Sequence, residues 1–120
     1  MVSPPSNHSC FNGVKVRQAD VDIVSRLLFM LHMHKAYPIT GTVATGAAAR
    51  IPGTVVNELL AETARQSVLL RIGHPSGVIP VEAAASIQND QFTIERIGVY
   101  RTARMIMEGH VYVRKSVFGK

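Results

Sequence analysis

The 120-residue chain has one cysteine, Cys10, and no tryptophan. A single cysteine excludes a disulfide within the chain and a cluster of thiolate metal ligands. The most apolar stretch, residues 23–33, is interrupted by Ser25, Arg26 and His32, and it is shorter than the roughly 20 residues that a membrane span requires. The N-terminal residues show no export signal. The sequence therefore predicts a cytoplasmic protein without a transmembrane segment.

Acidic residues are scarce: eight Asp and Glu stand against 13 Lys and Arg, which gives a net charge of +5. This excess favours anionic partners such as nucleic acid, phosphorylated molecules or acidic proteins. The few aromatic residues are not interleaved with basic ones, so a nucleic-acid partner is not expected. Glycine-rich nucleotide loops and a nucleophilic serine elbow are also missing. We expect no cofactor.

The domain organisation follows from length and from the composition of the N-terminus. A chain of 120 residues with 47% hydrophobic residues has the size and composition of one folded domain. Pro4, Pro5 and Gly13 favour turns and bury little. We therefore predict a flexible leader over residues 1–13 and a single domain over residues 14–120.

The strongest element in the pattern is a helix over residues 54–72, which begins after Pro52-Gly53 and ends at Gly73. Its apolar residues cover more than half of its circumference, so a curved sheet is expected to surround it. The other predicted elements are a helix over residues 21–31, a strand over 39–45, and strands over 81–88, 92–100 and 103–118. One long helix followed by successive antiparallel strands indicates an α+β fold.

Four polar residues, Glu58, Glu62, Arg65 and Gln66, fall on one side of the predicted long helix. A carboxylate beside an amide and a guanidinium could act as a general base or polarise a thioester carbonyl. The alternative is a solvent-exposed face on which Glu62 pairs with Arg65 and Gln66. Spacing alone favours the exposed face.

Three segments resemble the A-factor biosynthesis hotdog family. LLAETARQSVLL (residues 59–70) resembles the family's helix signature, MHKAYPITGTVATG (residues 33–46) is similar to its first strand, and residues 77–96 are similar to its return to the second strand. The resemblance implies a hotdog fold, in which a long central helix is wrapped by an antiparallel β-sheet. It also implies a homodimer or higher oligomer with a thioester site at the pairing interface.

The resemblance further implies a reaction and its residues. Family members transfer a β-ketoacyl group from an acyl carrier protein or coenzyme A thioester to a glycerol-type phosphate such as dihydroxyacetone phosphate. Glu62 would be the catalytic acid or base, with Arg65 and Gln66 beside the substrate. An alignment to related hotdog dehydratases would instead place the carboxylate at Glu58, one helical turn away.

Two further residues are candidates for substrate binding in this interpretation: His34, from the family-like His-Lys pair, and Arg50. Arg50 stands where a dehydratase would carry its catalytic histidine, and it cannot act as a base near neutral pH, so a dehydratase is disfavoured. His32 and His34 lack a third ligand with suitable spacing, and no metal site is expected. A thioesterase is the alternative if water is the acceptor. Because the chain has room for one repeat only, a non-catalytic acyl-thioester-binding domain and a fragment of a longer product are alternatives as well.

Overall fold

The computed structural model describes residues 1–88 and 91–118. The strands are β1 (Val2–Ser3), β2 (His8–Ser9), β3 (Lys15–Val16), β4 (Ile23–Ser25), β5 (Leu28–Phe29), β6 (His32–Met33), β7 (Leu69–His74), β8 (Gly77–Gln88) and β9 (Gln91–Val99). Five of them form one sheet in the order β1-β4-β7-β8-β9. β4 runs parallel to β7, and the other neighbours are antiparallel. The sheet is therefore mixed.

Two α-helices accompany the sheet: α1 (Ile39–Ala48) and α2 (Val55–Glu58). Short 3-10 turns lie at Gln18–Asp20, Glu62–Ala64 and Lys115–Val117. α1 packs on β8 and β9, and a Cβ on Gly46 would lie 3.1 Å from Val81. The core between helix and sheet contains the fully buried side chains of Ile23, Leu70, Ile72 and Val81.

Two hairpins complete the fold. The β2–β3 hairpin contributes Cys10 and Val16 to a second cluster with Val21 and Val24, whereas Ile23 belongs to the main core. The β5–β6 hairpin turns at Met30 and Leu31, whose φ angles of 47° and 64° are positive. Positive φ at both central residues is the geometry of a two-residue type I′ turn.

The predicted helix over residues 54–72 is wrong. The observed helix, α2, ends at Glu58. Beyond it the amide of Ala61 donates to the carbonyl of Asp22 (3.0 Å), and the chain continues towards the sheet. Residues 69–74 then form β7, in which Leu70 and Ile72 are buried. Pairing with β4 and β8 outweighs the helical propensity of the leucines, since tertiary contacts override local preference.

The two predictions before residue 50 are wrong as well. Residues 39–45, predicted as a strand, belong to α1, which buries Thr42, Thr45 and Gly46 on one face. This three-and-four spacing of small residues is helical and lets the helix approach the sheet closely. The predicted helix over residues 21–31 is instead β4 followed by the start of the β5–β6 hairpin.

The C-terminal predictions are partly confirmed. The strands predicted over 81–88 and 92–100 correspond to β8 and β9. Residues 103–118, predicted as a strand, are exposed and have no strand partner within residues 1–88 and 91–118; a 3-10 turn lies at Lys115–Val117. We call residues 103–118 the tail. Residues 1–13, predicted as a flexible leader, contain β1, β2 and the buried Cys10. The division into a leader and one domain stays a prediction.

The hotdog fold is wrong. That fold needs a long central helix inside an antiparallel sheet, whereas the longest helix of the described residues is the ten-residue α1 and the sheet is mixed. The segment predicted to be the long helix supplies a central strand instead. Along residues 1–88 and 91–118, no helix has the length and apolar character needed to cross a membrane.

Candidate functional site

The four residues predicted on one side of a long helix do not share a helix. Glu58 ends α2, Glu62 begins a 3-10 turn, and Arg65 and Gln66 lie in the loop before β7. The Glu62 carboxylate pairs with Arg65 at 3.4 Å, and 86% of the Glu62 side chain is exposed. Arg65 also donates to the backbone carbonyl of Glu58 (3.3 Å). The arrangement is that of a surface ion pair.

Arg50 follows α1 and binds three backbone carbonyls of the loop that leads into β7. Nη1 donates to the carbonyls of Ala64 (3.0 Å) and Arg65 (2.8 Å), and Nη2 donates to that of Ser67. Burial lowers the pKa of Arg50, and the negative charge of Asp22 partly opposes this. A guanidinium remains protonated even so. Arg50 therefore fixes the path of this loop against the end of α1.

A shallow depression of ≈ 330 Å³ lies beside this loop. Its lining includes three of the residues predicted to bind substrate, together with Glu95 and small residues of β8: Arg50, Arg65, Gln66, Ser67, Val68, Ala83, Ala84, Ala85 and Glu95. The structure thus brings Arg50, Arg65 and Gln66 together, and Glu58 and Glu62 do not line the depression. The catalytic and binding roles of these residues stay predictions.

His34, the remaining predicted binding residue, lies at the opposite end of α1. Its Nδ1 contacts the carbonyl (2.8 Å) and the amide (3.2 Å) of Ala36. Its backbone amide donates to the carbonyl of Leu27 at 2.8 Å. His34 therefore shapes the turn between the β5–β6 hairpin and α1 and does not join Arg50.

Basic side chains lie together at this opposite end, beside the β7–β8 turn. We call this region the basic end and define it by His8, Arg26, Lys35 and His74. Arg26 Nη1 donates to the carbonyls of Ser25 (2.9 Å) and Gly73 (3.4 Å). The hydroxyl of Ser76 donates to the carbonyl of Lys35, whose ammonium lies 5.9 Å from the Phe11 ring centroid. These contacts hold Arg26 and Lys35 beside this turn.

A small cleft of ≈ 120 Å³ opens at the basic end. It is lined by Ser9, Cys10, Phe11, Arg26, Met33 and Pro75. The Cys10 thiol is buried and lies 3.9 Å from the carbonyl of His74. The cleft thus combines one guanidinium with apolar walls, an arrangement that suits a carboxylate attached to a small carbon skeleton.

His74 is kept neutral over a wider pH range than a free histidine. Burial lowers its pKa, and the positive charges of Arg26 and His8 lower it further. Its Nδ1 accepts the backbone amide of Ser76 at 3.2 Å, so the neutral ring carries its proton on Nε2. The guanidinium of Arg26 and the ammonium of Lys35 are the positive charges of the basic end, and they attract an anion.

The N-terminus of α1 faces the same region. Pro38 precedes the helix, and among the described residues no side chain caps its first turn. The first amides of an α-helix lack partners within the helix and attract anions. Tyr37 connects this end to the sheet: its ring centroid lies 6.1 Å from that of His74, and its hydroxyl contacts Ser25 and Thr45, each at 2.7 Å.

Sequence reasoning missed the basic end because its residues come from four separate segments. Arg26 and His74 are 48 positions apart and meet only through the parallel pairing of β4 with β7. The net positive charge of the sequence predicts an anionic partner, but it does not identify the residues that bind it. For metals, the part of the chain that the structure describes contains no group of three or more His, Cys, Asp or Glu able to hold an ion.

Comparison with known proteins gives a consistent result. The model of the PrpF protein family matches residues 1–114. The chain is 49% identical over 116 residues to 3-methylitaconate isomerase of Eubacterium barkeri, covering 96% of the chain and 29% of that protein. It is 41% identical over 114 residues to 2-methyl-aconitate isomerase of Shewanella oneidensis, covering 95% of the chain and 28% of that protein.

A solved structure agrees with these matches. The fold is similar to a crystal structure of methylitaconate-delta-isomerase, with a TM-score of 0.77 and 45% sequence identity over 97% of this chain and 29% of that one. The chain therefore spans less than a third of the length of these relatives. The resemblance to the A-factor hotdog family is overturned, because the PrpF match covers residues 1–114 and includes all three segments on which it rested.

The functions that depended on that resemblance are corrected with it. An acyltransferase or thioesterase, and the partners acyl-CoA, acyl carrier protein and dihydroxyacetone phosphate, are wrong, since the matched relatives are isomerases. The acyl-transfer role predicted for Glu62 and Glu58 is therefore wrong as well.

Proposed function

The chain belongs to the PrpF protein family, and we propose that it forms part of an isomerase that shifts a carbon–carbon double bond in a small unsaturated polycarboxylate. The observation that carries this proposal is the 49% identity to 3-methylitaconate isomerase across 96% of the chain. A cytoplasmic location, predicted from the sequence, is part of the same proposal.

The proposed reaction moves one proton and changes no other atom. A base takes the proton from a C–H bond next to the double bond, the electron pair becomes delocalised towards the neighbouring unsaturated carboxylate, and the double bond shifts by one position. A proton then forms a new C–H bond at the far carbon. Such a reaction requires that the carboxylates be held in fixed positions, because the negative charge that develops must be stabilised where it forms.

The basic end supplies the carboxylate binding in this proposal. Arg26 lines the cleft beside Cys10, and guanidinium groups bind carboxylates with two parallel hydrogen bonds. The uncapped N-terminus of α1 provides further amide donors next to Tyr37 and His74. Because its pKa is lowered, the ring of His74 is neutral and can donate a hydrogen bond from Nε2. This chain's share of the reaction is thus substrate positioning.

The direct test is a chimera in which these 120 residues replace the matched segment of the Eubacterium barkeri isomerase. Identity of 49% over the segment makes a folded chimera a reasonable expectation. Proton NMR in D₂O would follow 3-methylitaconate and 2-methylaconitate, so that the shift of the double bond and the uptake of deuterium are both observed. We expect turnover of at least one of the two acids.

Variants of the chimera test the assignment of Arg26. Arg26→Gln should raise KM by at least tenfold, and Arg26→Lys should recover part of the loss because it keeps the charge. Arg17→Gln is the matched control, since Arg17 is exposed and its ion pair within the described residues is with Asp20. A folded chimera without turnover would refute the proposed function. Equal kinetics for Arg26→Gln and Arg17→Gln would refute the assignment of the carboxylate site.

A further inference from the structure

Three buried hydroxyl groups form a hydrogen-bonded chain beside the basic end. The Tyr37 hydroxyl lies 2.7 Å from Oγ of Ser25 and 2.7 Å from Oγ1 of Thr45. Tyr37, Ser25 and Thr45 are 8%, 2% and 9% exposed. A buried hydroxyl costs free energy unless it is hydrogen-bonded, so such a chain is a specific feature of the core. It connects β4, the segment before α1, and α1 itself.

The direction of these hydrogen bonds follows from the acceptor at one end. Oγ of Ser25 donates to the backbone carbonyl of Met1 (3.3 Å), and a carbonyl can only accept. Since serine has a single hydroxyl proton, Tyr37 donates to Ser25, and Thr45 donates to Tyr37. The phenol proton is therefore engaged within the protein. This arrangement suits Tyr37 to hold its neighbours in place and not to protonate a ligand.

Ser25 connects Tyr37 to the guanidinium of Arg26. Its hydroxyl accepts from Tyr37, and its carbonyl accepts from Nη1 of Arg26 (2.9 Å). The same Nη1 donates to the carbonyl of Gly73 (3.4 Å). Among the described residues, Nε and Nη2 of Arg26 have no hydrogen-bond partner. The protein thus holds the guanidinium by Nη1 and leaves the edge formed by Nε and Nη2 for a carboxylate.

The ring of Tyr37 lies beside a second donor, His74. The two ring centroids are 6.1 Å apart and the ring planes are inclined by 32°, within the range of favourable aromatic pairs. Nδ1 of His74 accepts the amide of Ser76, so Nε2 carries the proton that can be donated. Tyr37 therefore contacts His74 through its ring and Arg26 through Ser25.

We propose that Tyr37 is a positioning residue of the basic end: it holds the Arg26 guanidinium and the His74 ring at a fixed separation, so that the site prefers a dicarboxylate to a monocarboxylate. Donors that are held in place bind two groups of one ligand without the cost of ordering each donor separately. The proposal rests on the proposed function in one respect, the binding of carboxylates at the basic end.

The experiment measures the binding of itaconate and methacrylate to the 120-residue chain by NMR. Methacrylate is itaconate with one carboxylate replaced by hydrogen, so the pair differs in a single charged group. The resonances of the Arg26 Nε–H and of the His74 ring report on the two donors separately. We expect itaconate to bind about tenfold more tightly than methacrylate, as one additional charged hydrogen bond allows.

Variants at two positions separate the hydroxyl of Tyr37 from its ring. Tyr37→Phe keeps the ring and loses the bond to Ser25, so the preference for itaconate should fall to about twofold while the pKa of His74 stays unchanged. Tyr37→Leu removes the ring as well and should also move the pKa of His74 towards 6.5, since burial is the main cause of its shift. Ser25→Ala should match Tyr37→Phe in binding.

Two controls distinguish positioning from a general loss of stability. Thr45→Val breaks the other hydrogen bond of the Tyr37 hydroxyl but keeps the link to Ser25. It should lower the free energy of unfolding, measured with urea, and yet retain the preference for itaconate. Tyr100→Phe removes a hydroxyl that donates to Glu82 on the far side of the sheet, and it should bind both acids as the parent does.

Three results would overturn the proposal. The first is a parent chain with no preference for itaconate, and the second is a Tyr37→Phe variant that keeps the preference. The third is an equal loss of preference in Tyr37→Phe and Thr45→Val, which would reveal a general loosening of the core. If the chain prefers itaconate but the chimera isomerises neither acid, the role of Tyr37 stands and only the proposed function fails.

Discussion

Asp22 and Arg71 form the ion pair on which the parallel junction of the sheet depends. Arg71 Nη2 lies 2.6 Å from Oδ1 of Asp22, and the backbone amide of Arg71 donates to Oδ2 at 2.7 Å. The Asp22 side chain is 6% exposed. The amide of Asp22 in turn donates to the carbonyl of Arg71 (2.8 Å). Side chain and backbone therefore connect β4 to β7 at the same point.

We predict that Arg71→Met lowers the free energy of unfolding by about 3 kcal/mol, because it leaves the carboxylate of Asp22 buried without its counter-charge. Arg17→Met is the matched control. Arg17 pairs with Asp20 on the surface, where the two side chains are 78% and 41% exposed, and loss of such a pair costs below about 1 kcal/mol. Urea denaturation followed by circular dichroism measures both, and equal losses would contradict the prediction.

His74 makes stability depend on pH in a defined direction. Its folded pKa lies below the usual 6.5, chiefly because of burial and then because of the charges of Arg26 and His8. Between 6.5 and the lowered value the unfolded chain binds a proton that the folded chain does not, so stability falls as the pH drops through that interval. Above 6.5 the contribution is complete.

His74→Asn tests this effect, because it removes the titrating ring and keeps an oxygen that can accept the amide of Ser76. We expect the urea midpoint of the parent to fall more than that of the variant between about pH 7.5 and about pH 5.5. His110→Asn, at an exposed tail position, is the control and should follow the parent. If His74→Asn showed the same dependence of the urea midpoint on pH as the parent, His74 would not contribute to the pH dependence of stability.

At the scale of elements, α1 depends on close contact with the sheet. A Cβ placed on Gly46 would lie 3.1 Å from Cγ2 of Val81 and 3.8 Å from Cβ of Ala83. Such a contact is tighter than van der Waals packing allows without movement of its neighbours. The helix is thus held at a distance from β8 that only a very small residue permits.

Gly46→Val should therefore destabilise the chain by about 1–3 kcal/mol through overpacking. Adding Val81→Ala should restore part of this loss, so the double variant should be more stable than the sum of the two single effects predicts. Ala44→Val, at an exposed position of the same helix, carries only the smaller propensity cost of below about 0.7 kcal/mol. Additive behaviour of Gly46→Val and Val81→Ala would rule out the direct contact.

The elements also show where sequence reasoning succeeds and where it does not. β8 and β9 were predictable because they are neighbours in sequence and pair with each other over most of their length. Strand β7 was not, because its leucine-rich sequence also fits a helix and its parallel pairing joins residues 49 positions apart, Ile23 and Ile72. Arg65 and Gln66, predicted on one helix face, and Arg50, predicted separately, line one depression because the loop before β7 folds over Arg50; their role as a site stays a prediction.

At the scale of the whole molecule, buried side chains and exposed apolar side chains lie in separate parts of the chain. Residues 1–99 contain both core clusters and the five-stranded sheet. Residues 103–118 contain only exposed side chains. Local stability follows buried contacts and hydrogen bonds, so the two parts should open with very different free energies.

Limited trypsin digestion of the chain alone should reveal this division. Arg101, Arg104, Arg114 and Lys115 lie in exposed chain without sheet pairing, and cleavage there requires no unfolding. Arg71 lies in β7 and binds Asp22 and the carbonyl of Ala19, so cleavage after it requires the sheet to open. Arg50 binds three carbonyls of the loop before β7, so cleavage after it requires that loop to detach. We expect mass spectrometry to show loss of the tail first and a persistent product that ends near residue 101.

The same digestion distinguishes a tail that is free from one that is covered by another copy. If the chain associated with itself through the tail, raising its concentration would slow cleavage at the four tail sites while leaving those of the β2–β3 hairpin, Lys15 and Arg17, unchanged. We expect no such dependence, because the positive charges of two tails oppose their pairing. Early cleavage after Arg71 would mean that the sheet itself is no more stable than the tail.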